Sequence, residues 1–591
     1  MFFGMYGKLF SACLQGINGV MVEVETDLSN GLPMVAIIGL PDSAIRESIE
    51  RVRSAIKNCG FTFPNQRVTI NLAPADLRKE GSAFDLAIAM GILTTSDQII
   101  LPDAEQMLLI GELALDGTLR PVPGVLSMVD TARQHGMKSV LVPQENAAEA
   151  VLVEGINVYA IHHLNDLFAD ALHQPTLPKD QSAQQDHIES FRMSLPGQPE
   201  IVVKQIQTNS SSNDPINTSQ SVNDISGITK KKSDPRKVVV LPPLLVQRSK
   251  KQYINHSVST MQEDYGDVFG QQHVKRALMI AAAGMHNILL LGPPGTGKTM
   301  LIKRLPTILP VLTDSEALEV TKIFSVSGRF KDSNAGLISV RPFRAPHHST
   351  TVTGLIGGGS IPKPGEVSLA HQGILFLDEL PEFPRSVLEV LRQPLEDHQV
   401  TISRARAVFS FPANFLLAGS MNPCPCGYLG STHAAHPCTC SHSQIARYRS
   451  KISGPLLDRI DLQIEVPRPT EQDWQRAKAG TEDIGYDSAS MRTIVEQAHQ
   501  IQLKRYQHLD IHWNSELSGK WLREYTFLSD AGNQLLETAF EQLGMSMRAR
   551  DRILKLARTI ADLENMEQIE AVHIAEAIQY RQLDLSQPVN G

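Results

Sequence analysis

Six cysteines among 591 residues are too few for a disulfide framework. No apolar run approaches the roughly 18 residues that a membrane span requires, so no membrane partner is expected. Basic charge is not in excess: 55 Lys+Arg stand against 63 Asp+Glu, a formal charge of −8. That balance excludes a uniformly basic, histone-like chain and leaves room for a local basic groove. The first sixteen residues carry Lys8 inside an apolar stretch and run on into strand-like sequence, unlike a secretory leader. What remains is ordinary globular composition, 42% hydrophobic and 20% charged. At roughly 100–200 residues per domain, the length predicts about three to five domains. The expectation is a soluble, cytoplasmic, multidomain protein.

Strand-like runs over 20–24, 34–38, 68–72 and 139–143 alternate with an amphipathic helix over 42–58 and a mostly apolar helix over 84–93. These suit an α/β or α+β domain with its own core over 1–173. Residues 174–262 are rich in Ser, Asn, Gln, Asp and Pro and cannot bury enough apolar area to offset their ordering entropy, so a largely disordered linker is expected there. Lys230, Lys231 and Lys232 within it read as a solvated charge run, with contact to nucleic acid as the other reading. From Asp267 the pattern is globular again: strands over 287–291, 373–377 and 415–420, separated by helical and loop sequence, suit a parallel sheet with crossovers in a core over 263–470. From about Glu516 the pattern is helical, giving an all-helical domain within 471–591. The expected class is α/β multidomain.

The run Gly292, Pro293, Pro294, Gly295, Thr296, Gly297, Lys298 and Thr299 fits G-x-x-x-x-G-K-[ST] directly after an apolar strand. In that context the glycines let backbone N–H groups turn inward around phosphates, Lys298 reaches the β/γ oxygens, Thr299 ligates Mg²⁺, and the next helix aims its positive end at the anion. A second apolar strand ends in Asp378 and Glu379. Phosphoryl transfer to water needs a carboxylate near Mg²⁺ and a group that orients and deprotonates the attacking water; Asp378 suits the first role and Glu379 the second. ATP and Mg²⁺ are the implied cofactors and ATP hydrolysis the implied chemistry.

Outside the linker the chain resembles the ComM/YifB family of magnesium-chelatase-like AAA+ ATPases. The resemblance is carried by Gly81-Ser82-Ala83-Phe84-Asp85-Leu86, Gly111-Glu112-Leu113-Ala114-Leu115-Asp116-Gly117, Arg341-Pro342-Phe343-Arg344-Ala345-Pro346-His347-His348 and Pro364-Gly365-Glu366-Val367-Ser368-Leu369-Ala370-His371. It continues through Leu377-Asp378-Glu379-Leu380-Pro381-Glu382-Phe383, Asn422-Pro423-Cys424-Pro425-Cys426-Gly427 and Ser453-Gly454-Pro455-Leu456-Leu457-Asp458-Arg459-Ile460-Asp461, to Ala557-Arg558-Thr559-Ile560-Ala561-Asp562-Leu563.

This resemblance implies an N-terminal Lon-protease/S5-like α+β domain, an AAA+ P-loop core with a parallel sheet and a C-terminal helical lid. It implies that Asn422 orients the attacking water, that Arg459 is an arginine finger reaching a neighbour's ATP, and that Arg548 is the lid's nucleotide sensor. For Arg459 the other reading is a pair with Asp458 or Asp461; Arg550 and Arg552 compete with Arg548. A finger in trans implies an oligomer, in this family a homo-hexameric ring. The family's proposed work is ATP-driven branch migration on single-stranded or branched DNA in natural transformation or recombination. Residues 343–366, with Gly354 and Gly357-Gly358-Gly359, resemble the loop that lines such a ring; residues 400–411, with Arg404 and Arg406, resemble the hairpin before the sensor. For those arginines the alternative is surface charge or subunit pairing. Where family members continue the His-His motif with a Thr-Ile-Ser-like run, this chain has Ser349-Thr350-Thr351-Val352-Thr353. A reading from another class stays open: an ATPase that remodels a protein partner, engaged through the N-terminal domain.

Cys424, Cys426, Cys438 and Cys440 fall within seventeen residues and can supply a tetrahedral zinc site, with His433, His436 or His442 able to replace one sulfur. Free or redox-sensitive thiols are the alternative. Cys13 and Cys59 read as buried packing residues. A Ser–Lys peptidase needs a serine beside a lysine. Ala83 stands at the nucleophile position, Ser82 one place off, and the lysine position falls near Met128. The N-terminal domain is therefore expected to bind or assemble rather than cleave.

Overall fold

The computed structural model describes residues 5–168, 237–242, 263–330, 336–359, 362–404, 407–429, 437–468 and 486–581. Cα packing divides the chain into two compact units: 1–252 with 325–336, and 253–324 with 337–591.

In the first unit, β1 (Met5–Gln15) and β2 (Asn18–Ser29) form a long antiparallel hairpin. Along β2, Val22, Val24, Thr26 and Leu28 are buried while Glu23, Glu25 and Asp27 lie on the other face, the period of two expected of a strand with one face on a core. Around it lie β3 (Met34–Ile38), β4 (Arg67–Ala73), β5 (Met107–Leu109), β6 (Ser139–Pro143) and β7 (Asn157–Ile161), in the order β7-β6-β5-β1-β2-β4-β3. Helix α1 (Ser43–Asn58) starts where the Asp42 carboxylate accepts from the Ile45 N–H at 2.8 Å. It buries Ile45, Ile49, Val52 and Ile56, one face of a 3.6-residue period. Helix α2 (Asp85–Thr95) is buried nearly all round. Its Asp85 takes two hydrogen bonds from Arg51 of α1, at 2.9 and 3.2 Å. Burial nonetheless pushes this carboxyl up to about 6.

The expected linker lies mostly outside the described residues, Lys230, Lys231 and Lys232 included. Within it, Lys237–Val238 pairs in parallel with Ile99–Ile100, and Val239 is buried in the first unit's core. A β-branched run following the polar stretch supplies the reason.

The second unit is built on five parallel strands. These are β8 (Ile288–Leu291), β9 (Phe343–Arg344), β10 (Ile374–Leu377), β11 (Leu416–Met421) and β12 (Leu462–Glu465), in the order β9-β10-β11-β8-β12. The strands read from sequence begin one residue later than expected at β8, β10 and β11. All residues of β8, β10 and β11 are buried, as a sheet covered on both faces requires. An antiparallel hairpin, Gln399–Arg404 with Ala407–Pro412, precedes β11. Helices α3 (Ser488–Arg505), α4 (Asp530–Gln542), α5 (Met547–Leu563) and α6 (Ala571–Gln579) follow the sheet. Their Met491, Val495, Leu536, Ile553, Ile560 and Ile574 share one hydrophobic core with Ile288, Leu290, Ile374 and Phe376. Sequence patterning singled out α5 but not α3, whose buried positions Met491, Val495 and Ala498 are few and partly small. Among the described residues no helix is long and apolar enough to cross a membrane.

Candidate functional site

The loop from Gly292 to Gly297 joins the end of β8 to a short helix, Lys298–Lys303. Gly295 and Gly297 sit at φ +79° and +85°, a region that β-carbons disfavour, and a Cβ on Gly295 would meet open space. Gly292 has no such room, since a Cβ there would lie 2.4 Å from the Val466 carbonyl oxygen. Thr296 donates to the Pro293 carbonyl at 3.0 Å. Lys298, only 8% exposed, folds back to donate to the carbonyls of Gly292 (2.7 Å) and Pro293 (2.9 Å) and to Oδ1 of Asn422 (3.2 Å). Burial lowers the pKa of its ammonium, while Asp378 and Glu379 pull it back up.

The parallel order places β10 two strands from β8, with β11 between them. Asp378, just past β10, accepts from Thr299 Oγ1 at 2.8 Å, and its other oxygen takes Ser420 Oγ and the Glu379 N–H (3.1 Å). Ser420 also accepts from the Glu379 N–H at 3.2 Å, a role the sequence reading missed although it placed the residue in the right strand. Glu379 itself adopts a left-handed backbone conformation, φ +53°, and its side chain is exposed. Thr299 and Asp378 thus present hard oxygen donors side by side, the donor set Mg²⁺ favours, next to a buried ammonium and an open glycine turn. The residues fit a magnesium nucleotide.

Arg459 follows the Gly454–Leu457 helical turn. It donates to the Pro455 carbonyl at 2.7 Å and pairs with Glu396, rather than with Asp458 or Asp461. Its carbonyl accepts from Asn287 Nδ2 at 2.8 Å, and Asn287 Oδ1 accepts from the Leu417 N–H of β11 at 2.8 Å. The sequence reading missed this bridge; its one trace there is a polar residue, Asn287, opening an apolar strand. In the first turn of α5, Arg548 is exposed; one turn on, Arg552 is committed to Asp461 at 2.8 Å.

In the 343–366 insert, Arg344 pairs with Glu366 at 2.6 Å, the His347 and His348 rings lie 4.0 Å apart, and Gly357–Gly358 pairs with Lys363–Pro364. Arg341, at the head of the same motif, is a buried tie to Glu316 and to the carbonyls of Pro310 and Gln372. Arg406 and the Arg404 side chain, like His433 and His436, lie outside what the structure describes. Cys424, Cys426, Cys438 and Cys440 converge, with their sulfurs all within 4.8 Å of one another. His442 lies outside that group and begins the next helix, His442–Arg449. A hydrogen bond from the Tyr428 backbone holds the Cys426 thiol down to about 6. In the first unit Ser82 donates to Glu112, while Ala83 and Met128 are buried and carry neither nucleophile nor base.

Three family models match: "Magnesium chelatase, subunit ChlI" over 264–474, "Subunit ChlI of Mg-chelatase" over 24–146, and "Magnesium chelatase, subunit ChlI C-terminal" over 485–581. The chain is 40% identical over 573 residues to Competence protein ComM of Haemophilus influenzae, covering 97% of each chain. It is 37% identical over 571 residues to YifB of Escherichia coli, covering 96% of each. A shorter likeness, 26% over 176 residues, covers 27% of this chain and 31% of Lon protease 2 of Bacillus subtilis. With its Lon-like N-terminal α+β unit, parallel P-loop sheet and 37–40% identity to ComM and YifB over nearly its whole length, the chain belongs to the ComM/YifB family of magnesium-chelatase-like AAA+ proteins.

Proposed function

We propose that this chain is a cytoplasmic ATP-driven motor that works on single-stranded or branched DNA as a homo-hexameric ring. The observation that supports the ATPase is the meeting of Lys298, Thr299, Asp378 and Asn422 beyond the C-terminal ends of β8, β10 and β11. In this reading the Gly292–Thr299 loop holds the phosphates, and Thr299 with Asp378 holds Mg²⁺. A Mg²⁺ ion held by Thr299 and Asp378 would supply positive charge against the phosphates. Glu379 takes a proton from the attacking water, and Asn422 orients that water. Arg459 leaves Glu396 to reach a neighbour's nucleotide, where a guanidinium offsets charge developing on the transferred group. Arg548 reads the nucleotide from the lid. The thiolates of Cys424, Cys426, Cys438 and Cys440 hold one structural zinc ion.

The DNA part leans on the relative named a competence protein and on the glycine-rich insert and hairpin of the core. A second reading, remodelling of a protein partner through the N-terminal unit, is favoured by the Arg344–Glu366 pair, which neutralises one of the insert's cations. Steady-state ATPase measured without DNA, with single strands and with a branched junction separates the two. A several-fold rise with DNA that weakens in salt supports the motor. Good hydrolysis indifferent to every DNA moves the assignment to a protein remodeller.

A further inference from the structure

The cysteine cluster begins two residues after Asn422, and its surroundings connect it to the phosphate loop. A zinc ion held by four thiolates at about 2.3 Å has sulfur–sulfur edges of about 3.8 Å. The observed edges are 3.3 Å for Cys424–Cys426, 3.7 Å for Cys424–Cys438 and 3.6 Å for Cys426–Cys438. A disulfide would need about 2.05 Å.

Both halves of the ligand set are fastened to the sensor. Cys424 is fully buried, and its carbonyl accepts from the Gly427 N–H at 3.0 Å, closing a tight turn. Gly427 sits at φ +84°, and a Cβ there would lie 2.8 Å from Pro294 Cδ of the phosphate loop and 3.9 Å from Asn422 Cγ. Only glycine lets the turn stack this closely. On the other side, Cys440 leads into the His442–Arg449 helix, which is capped by Ser441 and Gln444. The far end of that helix returns to the residue after the sensor, where Arg449 Nε donates to the Pro423 carbonyl at 3.4 Å. A metal joining the two cysteine pairs therefore closes a ring of contacts behind Asn422, while Lys298 meets its Oδ1 from the front.

The geometry points to a further role for this metal: the tetrathiolate zinc site positions Asn422 and braces the phosphate loop through the Gly427–Pro294 contact. This deepens the zinc reading above; the ATPase reading enters only through the turnover measurement. Cross-linking the loop removes conformations in which Asn422 swings away from the lysine. The cysteines are positioning residues and touch no nucleotide.

Three measurements on the full-length chain test it. Purified protein should contain one zinc per chain and, refilled with cobalt(II), show the visible bands of a tetrahedral thiolate site. Cys440→Ser should lose the metal, and hydrogen exchange should then rise about tenfold across 292–298 and 421–427 with no nucleotide present; Cys440→His should keep the metal and the protection. Turnover should fall about tenfold or more in Cys440→Ser while nucleotide affinity changes less than about threefold. Gly427→Ala should keep its zinc and still lose protection in 292–298, which separates the brace from a general folding defect. Protein with less than about a tenth of a zinc per chain and no cobalt spectrum overturns the site. Unchanged exchange at 292–298 in both Cys440→Ser and Gly427→Ala overturns the brace. Wild-type protein that binds zinc, shows the exchange effect and hydrolyses no ATP overturns the ATPase reading and leaves the brace standing.

Discussion

Arg459 pairs with Glu396 of its own chain. An arginine finger acting in trans must give up that partner when a neighbour's nucleotide arrives. Arg459→Ala is expected to keep nucleotide binding and to lose about 10³-fold in turnover. Mixed with Glu379→Gln chains, it should recover some hydrolysis, because one site draws its base and its finger from different subunits. No recovery in demonstrably mixed rings removes the finger. Glu396→Gln should retain at least wild-type turnover, since Glu396 holds the guanidinium only before it is used; a large loss would make Glu396 part of the chemistry.

Glu379→Gln should bind ATP and hydrolyse it at least about 100-fold more slowly. Lys298→Ala should instead fail at binding, because it removes the buried ammonium that the proposed function assigns to the phosphates. Binding of a fluorescent nucleotide, measured beside steady-state turnover, tells the two defects apart. Equal nucleotide affinity in Lys298→Ala and wild type would take the lysine out of the site.

His499 stacks on Trp513 with ring centroids 3.9 Å apart. Burial first, then the nearby Arg341 charge, drops its pKa to about 3. The unfolded chain takes up a proton near pH 6.5 that the folded chain refuses, so the stability is present above about 6.5 and is lost as pH falls toward 3. Between pH 7 and pH 5 this amounts to about 2 kcal/mol. His499→Phe keeps the stack and should lose that pH dependence in urea titrations; parallel behaviour of the two proteins would refute it.

The Arg51–Asp85 pair makes the opposite pH prediction. Arg51→Met leaves the Asp85 carboxylate buried without its partner, at a cost of about 3 kcal/mol to the first unit. Asp85 already sits at about 6, raised by burial with Arg51 holding it down, so losing Arg51 raises it further, and protonation relieves the defect as pH falls toward 6. A cost that stays constant from pH 8 to pH 5 would show that the arginine acts by packing alone.

The phosphate loop and the ends of β10 and β11 were legible because a strand, a glycine turn and a polar residue at a strand end are local patterns. Ser420, Asn287 and Glu396 were not, because each acts on a residue distant in sequence: Ser420 on Asp378, Asn287 on both Arg459 and Leu417, Glu396 on Arg459. The same limit hid the Arg552–Asp461 tie, which distinguishes this arginine from its neighbours on α5 only once the helix is docked. In the first unit, the alternation over 20–24 was plain, while the full Met5–Gln15 partner strand emerged only from pairing.

Between the hairpin and β11 stands Asn414. Its N–H donates to His371 Nδ1 at 3.0 Å, its carbonyl accepts from the Gln372 N–H at 2.6 Å, and its amide donates to Glu516 at 2.7 Å. Pinned on three sides, it fixes the junction between the Ala407–Pro412 strand and β11, the strand that leads to Asn422. Any displacement of the Ala407–Pro412 strand is then expected to pass through Asn414 into β11 and so to Asn422.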